Sequence, residues 1–264
     1  MGAAAYKACF SAGCMSHAHG WTWTGLTPTR RGLAKLSACR AGKSSPETRQ
    51  KLELTIRDLQ GPEELQAVAL LRAHAFYTYP PERAFAGQLH QLMKVEEEVR
   101  ELGHAIASFP LDQAGLDLRM TSLVALADAS RHADLDPGYH IPSKDGVVLS
   151  TLDLYIASAL PGEYLIGRTR NAAYLANLAT AEGVKRRGIG RSLVSAARQL
   201  AREHGVDALY VHTLAVNTAA RDFYASCGFV VEREESSNTA HYRGKCLDGV
   251  EGKGRTVLLR DTQL

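Results

Sequence analysis

Residues 185–191 read Lys-Arg-Arg-Gly-Ile-Gly-Arg and stand where an apolar helical spacing begins. The first amides of a helix have no acceptor within the helix. Together with the helix dipole they favour an anion, by roughly 0.3–1 kcal/mol at an exposed site and ~2 kcal/mol when partly buried. Gly188 and Gly190 carry no Cβ, so an anion's oxygens can approach the main chain. Arg186, Arg187 and Arg191 add positive charge beside it. The segment has the chemistry of a diphosphate cradle. It is neither of the common nucleotide loops: Gly-x-x-x-x-Gly-Lys-Ser/Thr is absent, and position 193 is Leu, which breaks Gly-x-Gly-x-x-Gly. By itself it reads equally well as a helix start with a basic surface.

A second segment, Asn217-Thr-Ala-Ala-Arg-Asp-Phe-Tyr-Ala-Ser-Cys-Gly-Phe229, changes that balance. Asn217 is a good N-cap. Ala220, Phe223, Tyr224 and Cys227 recur three and four apart, so they share one helix face. Tyr224 is then either a core aromatic or a phenol aimed at a cleft.

The elements that must position these residues follow from periodicity. Alternating or continuous apolar runs predict strands over 51–57, 121–127, 147–157, 172–180, 208–216, 229–233 and 256–260. Helical spacing predicts helices over 63–76, 83–102, 188–204 and 217–227. In the second of these, Phe85, Leu89, Leu92, Val95 and Val99 form the expected apolar face, and Glu96-Glu97-Glu98 a solvated one. Residues 128–146, with His132 and His140, read as a surface loop. A β-α-β unit over 172–216 flanked by antiparallel-type strands makes one α/β domain, residues 50–264.

The chain has 264 residues and a formal charge of +3. Six of its 31 Lys and Arg lie in residues 1–45, which hold no Asp or Glu, so the remainder carries 25 bases against 28 acids. The basic balance belongs to the N-terminus and is no nucleic-acid footprint. An Ala- and Ser-rich, acid-free leader that lacks a 7–15-residue apolar core suits an organelle transit peptide, 1–45. No run of 18 apolar residues occurs, so no spanning helix is expected. Cys9, Cys14 and Cys39 fall in the leader; Cys227 and Cys246 alone suggest neither a disulfide framework nor a metal site.

Lys185-Arg-Arg-Gly-Ile-Gly190 and Asn217-x-x-Ala-x-x-Phe-Tyr-x-x-x-Gly-Phe229, about 30 residues apart, resemble the GCN5-related N-acetyltransferase (GNAT) superfamily. Tyr174-Leu-x-Asn177 before the loop, Leu209-Tyr-Val-His212 after it, and the acid-free leader are most similar to plastid acetyltransferases of plants and algae. The resemblance implies a single α/β domain. Its central sheet is mixed but mostly antiparallel and splayed at a parallel strand pair, with helices on both faces. It also implies acetyl-CoA as cosubstrate and no metal. Pantetheine would lie in the splay against Leu178, Ala179 and Thr180, the pyrophosphate on 186–191, and Asn217 and Tyr224 beside the donor. Lys185 departs from the usual Gln or Arg at the first motif position; lysine keeps the charge and loses the forked geometry.

The resemblance gives Tyr224 the role of general acid toward the leaving thiolate. A phenol near ~10 is a weaker acid than a thiol near ~8.5, so position must help it. Histone-type members carry a Glu on the strand before the loop, but residues 171–181 contain no acid. Certain protein N-terminal acetyltransferases instead resemble this chain in having a strand tyrosine and a strand histidine at these spacings, here Tyr174 and His212, acting together through water. A cross-strand pair that merely holds the core remains the other reading. Glu232, Glu234 and Glu235 are further candidates, to attract a cationic N-terminus. A weak base favours α-amines: at pKa ~7.7–8.0 about a tenth or more is neutral at pH 7, against about one lysine in 2,500. The expected activity is acetylation of protein N-termini, with lysines as a second class, in the chloroplast or alternatively the mitochondrion. A small-molecule amine acetyltransferase for a polyamine, amino acid or arylalkylamine is the alternative, and a non-catalytic acetyl-CoA-binding module a third.

Overall fold

The computed structural model describes residues 53–108, 119–128, 146–157, 172–236 and 255–264. The leader, residues 129–145 with His132 and His140, and Cys246 lie outside them. Strands β1 (Thr55–Asp58), β2 (Arg119–Ala127), β3 (Val147–Ala157), β4 (Ala172–Thr180), β5 (Ala208–Leu214), β6 (Phe229–Glu235) and β7 (Thr256–Asp261) pair into a single sheet. Its order is β1-β2-β3-β4-β5-β7-β6. Every neighbouring pair is antiparallel except β4 and β5, which run parallel. Parallel neighbours need a crossover, and helix α3 (Ile189–Glu203) supplies it.

Helices α1 (Gly61–Phe76) and α2 (Ala84–Ser108) cover one face of the sheet. Ala67, Val68 and Leu71 of α1 and Leu102 and Ala105 of α2 pack on Met120, Val124, Leu126, Tyr155, Tyr174, Tyr210 and Leu258. α3 lies on the opposite face. Its Ile189, Leu193, Val194, Ala197 and Ala201 are buried at helical spacing, and each large apolar side chain so buried contributes roughly 1.5–3 kcal/mol. Arg198 interrupts that stripe, and its Nε donates to Asp261 Oδ2 at the end of β7, 2.5 Å away. Short helix α4 (Thr218–Ser226) leads into β6.

The predicted spans agree closely for β3 and β4 and to within a residue or two for α3 and α4. α2 continues six residues past its expected end, to Ser108. Its predicted apolar face divides: Val95 and Val99 pack against Ala69 and Ala73 of α1, whereas Phe85 (84% exposed), Leu89, Leu92 and Met93 face solvent among the described residues. Glu98 is likewise not a plain solvated carboxylate, since it pairs with the buried Arg72 at 2.7 Å.

Candidate active site

β4 and β5 are in register for only four residues each, Ala172–Leu175 against Ala208–Val211. Those residues are buried; beyond them Ala176, Asn177, Leu178 and Thr180, and His212 and Leu214, become partly accessible. The paired register ends at Leu175, three residues before the predicted pantetheine residues Leu178, Ala179 and Thr180. On its other edge β4 stays anchored: Ser150 Oγ donates to the Ala179 carbonyl at 2.6 Å and lies 2.7 Å from Thr180 Oγ1.

The opening coincides with a β-bulge. β3 advances two residues, Thr151 to Asp153, while β4 spans three, Ala179 to Ala176. Asn177 absorbs the extra residue with a left-handed backbone, φ 53°, a conformation that asparagine tolerates better than most residues. Its side chain donates to Asp153 Oδ2 at 2.8 Å. Asp153 Oδ1 is 2.5 Å from Arg72, whose Nη2 also reaches Thr151 and Ser122 and whose Nη1 reaches Glu98. Residues 171–181 indeed contain no acid, yet a carboxylate reaches the bulge from the next strand. Sequence reading missed Arg72, Asp153 and Asn177 as a unit. The available signals were the lone acid in VVLSTLDLYIA and the lone arginine in AVALLRAHA.

The glycine loop is built as its composition suggests. Gly188 is the N-cap of α3, with φ 83° and no side-chain cap. Arg186 is also left-handed, φ 66°. The first backbone bond into the helix is Ser192 N–H to Gly188 O, 3.0 Å; among the described residues nothing accepts from the amides of Gly188, Ile189, Gly190 or Arg191. Arg186 and Arg187 are exposed and pair with no described residue. Arg191 differs, because its guanidinium caps α4 through the Ser226 carbonyl (2.6 Å) and hydroxyl (3.1 Å). Its main-chain amide remains available to an anion. A Cβ on Gly190 would sit 3.3 Å from Phe223 Cζ and 3.8 Å from Thr180 Oγ1, so this glycine lets the loop, the end of β4 and helix α4 come together.

A Cβ on Gly188 meets nothing within 4 Å, so substitution there tests backbone strain alone. Gly188→Ala is expected to weaken CoA binding about 5–30-fold, from the roughly 1–2 kcal/mol cost of a left-handed alanine. Gly188→Asn should weaken it less. Titration calorimetry with CoA reads both.

Asn217 caps α4 as predicted, its Oδ1 accepting from Ala220 N–H at 3.0 Å. Tyr224 is buried, with its ring against Phe223 and Phe229 at centroid distances of 5.1 and 5.4 Å. No described residue hydrogen-bonds its hydroxyl. Burial, with a minor contribution from Cys227, pushes its pKa well above that of an ordinary phenol. Tyr174 and His212 meet: the Tyr174 hydroxyl is 3.0 Å from His212 Nδ1. His212 is the first β5 residue past the paired register, at the mouth of the splay. Its Nε2 stands 3.2 Å from Glu235 Oε2. The three predicted catalytic residues thus form two groups, Tyr174 with His212 and Tyr224 apart on α4.

A splayed parallel pair, a bulged strand and a bare helix N-terminus between them make the α/β fold that the resemblance implied. The family model for the acetyltransferase (GNAT) family matches residues 97–229. The chain belongs to that family, and its cosubstrate is acetyl-CoA. It is 28% identical over 212 residues to GCN5-related N-acetyltransferase 7, chloroplastic, of Arabidopsis thaliana, covering 73% of each chain. To GCN5-related N-acetyltransferase 6, chloroplastic, of the same plant it is 32% identical over 98 residues, 32% of this chain and 34% of the relative. Among solved structures, PaiA N-acetyltransferase from Thermoplasma acidophilum with coenzyme A is similar at TM-score 0.48 and 14% identity, covering 80% of this chain and 99% of that one. The residues present fit the donor: the amides of 188–191 and the side chains of Arg186 and Arg187, without partners among the described residues, suit a diphosphate, and the edge of β4 beyond Leu175, where its register with β5 ends, suits an amide-bearing arm.

Proposed function

We propose that the chain is a plastid protein N-acetyltransferase, acting on the α-amines of polypeptide N-termini and more slowly on lysine side chains, by direct transfer. The observation that carries this reading is the 3.0 Å contact between Tyr174 and His212 Nδ1 at the mouth of the splay. Acetyl-CoA, when bound, supplies the thioester carbonyl that the amine attacks. Tyr174 and His212 take the amine's proton through water. An amide of the β4 bulge faces the developing oxyanion, a preorganised donor of the kind that counts most in a water-poor site. Tyr224 gives its proton toward the departing sulfur. The N–C bond forms, the C–S bond breaks, and one proton passes from nitrogen to sulfur overall. A Tyr–His pair is a modest base, which suits an α-amine, neutral to about a tenth or more at pH 7, better than a lysine, neutral in only about one molecule in 2,500.

Two observations support the plastid: the acid-free leader of residues 1–45 and the chloroplastic designation of both Arabidopsis relatives. The test is turnover of acetyl-CoA on three peptide sets: free N-terminus with lysines blocked, blocked N-terminus with a free lysine, and both free. These are compared with spermidine and an arylalkylamine. The reading expects the first and third sets to be fastest and the second measurable. Fast turnover of the free amines with none on peptides would replace it by a small-molecule activity.

A further inference from the structure

We infer that Glu235 is a positioning residue for the acceptor-side proton relay, holding His212 in the tautomer that receives a proton from Tyr174; this rests on the reading of Tyr174 and His212 as the base. Glu235 ends β6 with its side chain 1% exposed. Its carboxylate is held at both oxygens. Oε1 accepts from Arg233 Nε at 3.2 Å and Nη2 at 3.0 Å. Oε2 accepts from Thr256 Oγ1 at 2.7 Å and stands 3.2 Å from His212 Nε2.

A carboxylate accepts and does not donate, whereas a neutral imidazole donates from one nitrogen and accepts at the other. With Glu235 against Nε2, the favourable tautomer carries its hydrogen there. Nδ1 is then a lone pair, and the Tyr174 hydroxyl donates to it across 3.0 Å. The other tautomer would set the Nε2 lone pair against a buried carboxylate. During transfer the amine N–H breaks, the tyrosine O–H re-forms through water, and the original tyrosine proton moves to Nδ1. Glu235 stays a carboxylate and balances the imidazolium, as the acid of a hydrolase triad does without taking the proton itself.

A second bulge makes this contact possible. β6 advances from Val231 to Arg233 while β7 advances one residue, Leu259 to Leu258. The extra residue, Glu232, reverses the alternation beyond it. Glu235 therefore pairs with Thr256, on the same face as Leu258 and its partner His212. Without the bulge Glu234 would occupy that place. Glu234 instead meets Arg255 in solvent.

The test uses the full chain labelled with 15N-histidine, with acetyl-CoA and an unblocked peptide as substrates. The His212 ring signals, assigned by their loss in His212→Gln, are expected to show a neutral ring protonated at Nε2. Glu235→Gln is expected to change that pattern and to lower kcat about 100-fold, the lower end of what general-base catalysis contributes, with the KM for acetyl-CoA unchanged. A wild-type ring protonated at Nδ1, wild-type turnover in Glu235→Gln, or slow turnover with unaltered ring signals would each overturn the assignment. Should Glu235→Gln fail to fold, the wild-type ring signals decide. If His212→Gln and Tyr174→Phe turn over normally, the base reading falls and this role with it. If they are slow while Glu235→Gln is fast, the role of Glu235 alone falls.

Discussion

Tyr224→Phe is expected to lower kcat about 1,000-fold, within the range general acid catalysis contributes, while leaving affinity for acetyl-CoA essentially unchanged. The substitution removes one oxygen from a side chain whose ring is fixed by Phe223 and Phe229. Because no described residue bonds that hydroxyl, its loss breaks no described hydrogen bond in the free protein, and stability should move little. On the proposed mechanism, what is lost is the donor that meets charge developing on sulfur. Burial holds the phenol's pKa above its ordinary value, which favours its protonated form. The same burial makes a free thiolate unfavourable, which favours a hydrogen bond or proton reaching it in the transition state. Steady-state kinetics, with CoA calorimetry as a control, reads the effect. Collapse of donor affinity with intact turnover of bound donor would make Tyr224 a structural residue.

Arg72→Met is expected to destabilise the fold by about 3–5 kcal/mol, the cost of breaking a buried ion pair from one side. Arg72 is 2% exposed and Asp153 0%. Burial alone would lower the arginine's pKa, but Asp153 and Glu98 outweigh it and push the value up. Removing the guanidinium leaves the Asp153 carboxylate buried with Asn177 as its described partner. For a domain of this size the loss corresponds to a fall in Tm of about 6–20 °C. The double variant Arg72→Met/Asp153→Leu should recover most of it, because an apolar replacement of a buried pair is often neutral or better. Arg72 Nε has no partner among the described residues, which is one reason the pair adds little over such a replacement. Thermal and urea denaturation of the three proteins decide it. Equal instability of the single and double variants would show that the side chains' shape, and not their charge balance, holds α1 to the sheet. The double variant also frees Asn177 from Asp153, so reduced activity in a stable protein would link this brace to the bulge.

Much of the site was legible because its parts are local. Gly188 and Gly190 announce a helix start, and α3 begins there with Gly188 as its N-cap. Asn217 caps the helix it was expected to cap. Strand alternation placed Tyr174 and His212 on neighbouring strands, and they touch. The failures are equally specific. The apolar spacing of Phe85, Leu89 and Leu92 fitted a buried helix face as well as it fits the exposed one observed, because periodicity says that residues share a face and not what covers it. Glu98 looked solvated from its neighbours in sequence; its partner, Arg72, lies one helix away.

The sequence by itself determined the order of strands and helices, the glycine-opened start of α3, the capped helix bearing Tyr224, and membership of an acetyl-CoA-dependent family. Each of these is set by residues within a turn or two of one another, where spacing translates directly into geometry. Only the tertiary structure decided that Asp153 reaches the bulge at Asn177, and that Glu235 rather than Glu232 or Glu234 lies against His212. Both depend on a single extra residue in a strand. Because side chains alternate with period two, one inserted residue reverses every position beyond it. Where that residue is accommodated is settled by the pairing of neighbouring strands, not by the strand's own composition.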